Sequence, residues 1–131
     1  HEDHVNLVLN YEDKKIGICQ TNWLTPMKVR ELSIITDKCY VNVDYLKQKI
    51  RIFSSTFGIV DKSNLYQAPI NVSEKVINID GEEPLKSELV DFLSSTISGK
   101  SPLVSGNDGL EAVRIVEAGL KSLKTGKVID L

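Results

Sequence analysis

The first part of the chain alternates between apolar and polar residues with the period of two that is typical of β-strands. Apolar side chains recur at every second position from Val5 to Tyr11, and a second alternating run extends from Ile16 to Trp23 after a polar turn. Thr25-Pro26 interrupts the pattern, because proline cannot donate a hydrogen bond to a strand ladder. This region therefore predicts two paired strands followed by a break.

The alternation resumes after the break and continues to the middle of the chain. Asp37-Lys38 is typical of a tight turn between two strands. The predicted strands are Val29 to Thr36, Val41 to Tyr45, a run containing Ile50 and Ile52, and Val72 to Ile79. Ser54 to Ala68 is weakly patterned and is expected to be a mobile excursion. Consecutive short strands with polar connections predict one antiparallel meander with a packed face and a semi-polar face.

The last third has the helical period and carries helix-end signals. Pro84 suits the first turn of a helix that Gly99 ends, and Ser105 with Asp108 has the spacing of a capping box before a helix that Gly126 ends. Apolar residues at helical spacing predict a buried stripe on each helix. They are Leu85, Leu89, Phe92 and Leu93 in the first, and Leu110, Val113, Val116, Leu120 and Leu123 in the second. Val128 to Leu131 is expected to add a short strand.

Length and charge narrow the functional classes. A chain of 131 residues suits one domain, residues 1–131, and its formal net charge of −2 lacks the basic excess that nucleic-acid backbones require. No apolar run approaches the roughly 18 residues of a membrane span. The chain begins at His1, with Met27 as its single methionine, so we expect it to derive from a longer protein. Cys19 and Cys39 are expected to be reduced thiols, and the protein cytoplasmic.

One cluster has the chemistry of a ligand site. Trp23 can stack on a sugar ring, and Lys28 and Arg30, two residues apart on the next predicted strand, can hold a carboxylate or phosphate. The alternative is a core or interface tryptophan, with Lys28 and Arg30 paired to Glu31 or Asp44. Both interpretations stay open from the sequence alone.

The other motifs do not indicate a phosphate-binding loop, a metal site or a catalytic site. The glycines around Asn107-Asp108 match neither a P-loop nor a Rossmann turn, so they are interpreted as helix punctuation. His1 and His4 lack a third ligand for zinc. The acidic run that ends at Glu83 is interpreted as a favourable partner for a helix N-terminus. We expect no catalytic, cofactor-binding or metal-ligating residue in this chain.

The chain resembles one enzyme family in several stretches. PLKSELVDFLSSTISGKSPLVSGNDGLEAVRIVEAGLKSLKTGK, from Pro84 to Lys127, is similar to the C-terminal end of the Gfo/Idh/MocA oxidoreductases. Asp3 to Tyr11 and Ile16 to Trp23 resemble the paired strands that follow the catalytic helix of that family. WLTP and KVREL, which contain Trp23, Lys28 and Arg30, are most similar to the nucleotide-sugar branch, which includes UDP-N-acetylglucosamine 3-dehydrogenases.

The resemblance implies an α+β domain with an open, mostly antiparallel sheet and helices packed on one face. It implies a substrate-binding and oligomerisation domain, whose full-length protein binds NAD or NADP in an N-terminal Rossmann domain absent from this chain. Hydride transfer would then act on a sugar or nucleotide sugar, and the isolated chain would bind no cofactor and be inactive. A homo-oligomer is expected through a sheet face carrying Tyr40, Phe53 and aliphatic residues. The alternative is a stand-alone dimerisation or ligand-binding module without catalytic activity.

Overall fold

Strands and helices follow one another along the chain in the order that the sequence pattern predicts. The computed structural model describes residues 3–57, 70–79 and 81–131. All strand pairs in these ranges are antiparallel, which confirms the α+β class. The elements are β1 (His4–Asn10), β2 (Ile16–Asn22), β3 (Glu31–Ile35), β4 (Cys39–Asp44), β5 (Lys49–Phe57), β6 (Ile70–Asn78), α1 (Pro84–Ser98) and α2 (Gly106–Thr125).

The strands form two sheets rather than the single meander that was predicted. β1 and β2 make a two-stranded sheet, and β3, β4, β5 and β6 make a four-stranded one. The chain correspondingly divides into two compact units, His1–Pro26 with Glu83–Leu131 and Met27–Glu82. The β1–β2 ladder ends where the side chain of Asn22 accepts hydrogen bonds from the backbone of Leu24 and Thr25, just before Pro26.

A three-residue turn joins the two strands of the first unit. The Lys14 amide donates to the Tyr11 carbonyl, and the Tyr11 amide donates to the Lys15 carbonyl, both at 3.0 Å. Lys14 has φ of +64°, in the left-handed region that side chains with a Cβ disfavour. This combination is the turn-plus-bulge connection of a three-residue hairpin loop. The predicted polar turn is confirmed.

The helix ends lie where the sequence predicts them. The Glu83 carboxylate caps α1 by accepting hydrogen bonds from the amides of Leu85 and Lys86, at 3.2 and 2.9 Å. Gly99 ends α1 with φ of +67°. Ser105 and Asp108 form the predicted reciprocal capping box of α2. Local hydrogen bonds therefore fix these boundaries.

The face that α2 turns toward β1 is made of small residues. Gly119 faces Leu7 so closely that a Cβ added at Gly119 would lie 3.1 Å from Leu7 Cδ1. Ala118, Gly119 and Ser122 are half-buried, as is Ile115. The absence of a side chain at Gly119 therefore lets α2 approach β1 closely at Leu7.

The predicted buried stripes are wrong for both helices within the described chain. The large apolar residues of the α2 stripe are 37 to 65% exposed, and those of the α1 stripe are more than half exposed. Among the described residues, none is fully buried. The residues concerned are Leu110, Val113, Val116, Leu120 and Leu123 of α2, and Leu85, Leu89, Phe92 and Leu93 of α1.

The four-stranded sheet separates two kinds of surface. Its register places Leu32 opposite Val43 and Ile34 opposite Val41, and both rows continue into β5. We call this side the aliphatic face: Leu32, Ile34, Val41, Val43, Ile50, Ile52 and Ile77. Alternate residues lie on the other side, which we call the polar face because most of its residues in β3, β4 and β5 are polar: Glu31, Ser33, Ile35, Tyr40, Asn42, Asp44, Lys49, Arg51, Phe53, Ser55, Ile70, Val72, Glu74, Val76 and Asn78.

Tyr40 and Phe53 share one face of the sheet with aliphatic residues, as expected. Ile35 pairs with Tyr40, Val76 pairs with Arg51, and paired residues point to the same side. The expected excursion from Ser54 to Ala68 needs correction in its first part, because β5 extends through Phe57. Residues 58–68 of the expected excursion lie outside the described residues.

The predicted turn at Asp37-Lys38 is confirmed, since the Thr36 amide donates to the Cys39 carbonyl at 3.0 Å. The expected strand from Val128 to Leu131 is absent, and those residues have no regular structure. Cys19 and Cys39 lie on strands as free thiols.

Candidate functional site

Trp23 lies directly after β2 on an ordered turn. Its side chain is 88% exposed, so within the described chain it is not a core tryptophan. Asn22 Oδ1 accepts hydrogen bonds from the amides of Leu24 and Thr25 and from Thr25 Oγ1, at 3.0 to 3.1 Å. This turn holds the backbone beside Trp23 and leaves the indole available for contact.

Lys28 and Arg30 lie before β3 rather than on it, which corrects the predicted strand from Val29. The Arg30 carbonyl still accepts a hydrogen bond from the Tyr45 amide at 3.0 Å, so pairing with the next hairpin begins at this residue. The argument that both side chains share a strand face therefore does not apply, because Lys28 lies outside the ladder.

The ion pairs proposed as the alternative are not formed among the described residues. Asp44 pairs with Lys47 at 2.8 Å, and Glu31 accepts a hydrogen bond from Asn42 at 3.3 Å. Trp23 belongs to the first compact unit, whereas Lys28 and Arg30 belong to the second. Each of the three residues therefore remains a predicted substrate contact in its own unit.

The polar face of the four-stranded sheet holds a second group of candidate residues. The rings of Tyr40 and Phe53 stack across β4 and β5 with centroids 5.9 Å apart and planes inclined by 29°. The Tyr40 hydroxyl lies 2.9 Å from Ser33 Oγ on β3. Cross-strand pairing and this hydrogen bond together fix the orientation of the aromatic pair.

Polar side chains lie on one side of the aromatic pair, and Ile35 lies opposite Tyr40 on β3. Arg51 lies directly opposite Asn42, in the row next to Tyr40 and Phe53. Together they border a shallow depression of about 300 Å³. Its lining comprises Glu31, Tyr40, Asn42, Asp44, Lys47, Arg51 and Phe53.

Asp44 anchors the turn at one end of this depression. Hydrogen bonds from the Lys47 side chain and backbone, with smaller contributions from the Lys47 charge and the Leu46 amide, lower the pKa of the Asp44 carboxyl below its ordinary value. The carboxylate accepts the Leu46 and Lys47 amides at 3.1 and 2.9 Å. An ionised Asp44 therefore keeps Lys47 engaged within the turn.

Sequence reasoning placed Tyr40 and Phe53 on one sheet face, but it missed Asn42 and Arg51 beside them because their pairing depends on strand register. The alternation of Tyr40, Asn42 and Asp44 with valines was visible, as was that of Arg51 and Phe53 with isoleucines. The alternation does not show how long the turn between β4 and β5 is, and the length of this turn sets the register that places Tyr40 opposite Phe53. That turn contains Gln48 with φ of +50°, a conformation that its residue type does not signal.

Carboxylates occupy the N-termini of both described helices. A helix N-terminus binds pyrophosphate through free backbone amides. In α1 the Glu83 carboxylate takes the Leu85 and Lys86 amides, and in α2 the Asp108 carboxylate accepts from the Ser105 amide at 2.7 Å. A negative charge already occupies each helix N-terminus, so neither offers a phosphate cradle.

Metal-binding groups are also dispersed in the part of the chain that the structure describes. No three His, Cys, Asp or Glu side chains there come together as a metal site. His4 is the first residue of β1, and His1 lies outside the described residues. In the same ranges, no helix has the length and apolar character needed to cross a membrane.

Comparison with known proteins yields no relative. No protein-family model, curated protein or solved structure matches the chain.

Proposed function

We propose that the chain is the substrate-binding and oligomerisation domain of an NAD(P)-dependent oxidoreductase that acts on a sugar or nucleotide sugar. The observation that carries the proposal is the large apolar surface left uncovered by the chain itself. A domain of this size ordinarily buries about two-thirds of its unfolded surface, yet none of the described residues is fully buried. Such a surface is typical of a domain that completes its core against other subunits or domains.

The aliphatic face supports the oligomerisation part of the proposal. Leu32, Ile34 and Ile77 on this face are 37 to 44% exposed. Lys75, opposite Ile52, brings a charge to its border. A nearly uncharged aliphatic surface on a regular sheet can meet a second copy of itself, because a two-fold axis brings the same patch to both sides of an interface.

Substrate contacts are assigned separately to Trp23 in the first unit and to Lys28 and Arg30 in the second. An exposed indole offers an apolar ring face, and the two cations offer partners for phosphate or carboxylate. Hydride transfer would take place at a cofactor bound by another domain, since neither described helix N-terminus here can hold its pyrophosphate. This chain would then form the substrate-side wall.

Calorimetric titration tests the cofactor part. We expect NAD and NADP to show no binding to the full chain. Saturable binding of either dinucleotide would contradict the assignment. The intact mass of the native gene product separates the proposal from a stand-alone module, because a mass more than double 14.6 kDa would accommodate a cofactor domain.

A substitution tests the substrate site in the complete enzyme. We expect Arg30→Ala to raise the KM for a nucleotide sugar roughly tenfold or more, as the loss of a charge-assisted hydrogen bond implies. Arg114→Ala is the matched control, because Arg114 is an exposed helix arginine paired with Glu111 at 2.8 Å. Equal kinetics for both variants would remove Arg30 from the site. Far-UV circular dichroism of both variants checks that the fold is retained.

A further inference from the structure

The depression on the polar face brings together an aromatic pair, a carboxamide and a guanidinium group. We propose that it binds an anionic monosaccharide, a single sugar ring that carries a carboxylate or a phosphate. Its volume of about 300 Å³ lies at the lower end of the range for small-molecule sites, which suits one ring. This site lies wholly within Met27–Glu82 and does not depend on the dehydrogenase proposal.

The aromatic pair provides the apolar part of the site. Phe53 is half-buried, and Tyr40 is 37% exposed with its hydroxyl held by Ser33. The two rings are therefore pre-oriented, and ordering them on binding costs little conformational entropy. A sugar ring presents C–H groups on one side, and these pack on an aromatic surface while the hydroxyls stay free for hydrogen bonds.

Arg51 provides the charge. It is exposed and forms no ion pair with any described residue, whereas the other cation of the lining, Lys47, is held by Asp44. A free guanidinium group can donate two parallel hydrogen bonds to a carboxylate or phosphate. Because Arg51 lies across from Asn42 and beside Phe53, an anion on the ring would reach it while the ring covers the aromatic pair.

Asn42 and Glu31 provide partners for the sugar hydroxyls. Asn42 Nδ2 donates to Glu31 Oε2 at 3.3 Å, which leaves Asn42 Oδ1 and the second Glu31 oxygen as acceptors. A sugar ring places several hydroxyl donors around its edge to meet such acceptors, whereas hydrogen phosphate has only one or two donors on a single centre. The combination selects a hydroxylated ring with a charge over a small anion alone.

Nuclear magnetic resonance titration of the full chain tests the site with four probes. They are D-glucuronate, glucose 6-phosphate, glucose and inorganic phosphate. We expect saturable shifts of the Asn42 side-chain amide and the Arg51 Nε–H with at least one of the two charged sugars. Which of them binds identifies carboxylate or phosphate as the anion. Binding by neither charged sugar, or equal binding by glucose or phosphate, would overturn the proposal.

Two substitutions of Arg51 and one control locate the interaction. We expect Arg51→Gln to weaken charged-sugar binding roughly tenfold or more, and Arg51→Lys to restore part of it. Lys75→Gln removes a cation from the row of Ile52, on the opposite side of the sheet, and should leave binding unchanged. Equal loss in Arg51→Gln and Lys75→Gln would show general charge attraction and reject the site. Hydride-transfer activity of the complete enzyme is a separate readout, so either proposal can fail alone.

Discussion

The contact between Gly119 of α2 and Leu7 of β1 makes a quantitative prediction about how the first unit is held together. Alanine in place of a helical glycine gains about 1 kcal/mol of stability where the new methyl group has room. At Gly119 the added Cβ would lie 3.1 Å from Leu7 Cδ1, closer than the roughly 3.5–4.0 Å of an ordinary carbon contact. Leu7 must therefore shift.

The cost of that shift sets the expected result. Moving a leucine about 30° from its rotamer costs on the order of 0.5–1.5 kcal/mol, which cancels the gain from helix propensity. We therefore expect Gly119→Ala to change the free energy of unfolding by about 0 kcal/mol. Gly109 of the same helix has no atom within 4 Å of its added Cβ, so Gly109→Ala should stabilise by nearly the full ~1 kcal/mol.

Chemical denaturation followed by far-UV circular dichroism measures both values. A third comparison isolates the contact: in a Leu7→Ala background, Gly119→Ala should recover a gain of about 1 kcal/mol, because the obstructing methyl groups are gone. The reasoning is refuted if Gly119→Ala and Gly109→Ala stabilise equally, or if Leu7→Ala leaves the effect of Gly119→Ala unchanged. Either result would mean that α2 does not pack on β1 through Leu7.

Local interactions supply the remaining predictions. Ser105→Ala should destabilise the chain by about 1 kcal/mol in thermal unfolding, because it removes the side-chain half of the α2 capping box. Hydrogen bonds from the Ser105 side chain and backbone lower the pKa of Asp108 below its ordinary 3.8. The ionised Asp108 therefore stabilises the fold fully above pH 3.8, and this stabilisation is lost as the pH falls through the lowered pKa. A circular dichroism titration should show this loss in the parent chain and a weaker one in Ser105→Ala. Lys14→Gly should stabilise by about 1 kcal/mol in chemical denaturation, because φ of +64° costs a lysine but not a glycine, and no gain would contradict the left-handed turn.

Helix boundaries were predictable from the sequence because their causes are local. The capping box needs only Ser105 and Asp108, three residues apart, and the left-handed ends need only Gly99 and Gly126. Each signal lies within one turn of the boundary that it fixes, so no tertiary information is required.

The packed side of α2 was not predictable from hydrophobic spacing. The pattern rule assigns large apolar residues to the interior, and it selected Leu110 and Leu120. The face turned toward β1 instead contains Ala118 and Gly119, whose small size permits close approach. The large apolar residues of α2 are exposed within the described chain. Hydrophobic spacing alone does not show which side of a helix contacts the strands of its own chain.

The two candidate sites also differ in how far the sequence alone predicts them. Trp23, Lys28 and Arg30 stand close in sequence, so residue types alone suggested them. The polar-face site joins Tyr40 and Asn42 to Arg51 and Phe53 through cross-strand register, and register depends on turn lengths that residue types only partly determine. The alternation pattern did show a break at Thr25-Pro26, but it did not show that the strands on either side belong to different compact units.

β6 is one of the two outer strands of the four-stranded sheet, and its charges oppose the addition of a further strand from another molecule. β6 ends the described sheet and places Glu74 and Lys75 side by side in its centre, with one charge on each face. A strand from another molecule that paired with β6 would bring its own side chains against both charges, a known barrier to open-ended strand addition. Growth into fibrils by strand addition is thus disfavoured at this edge.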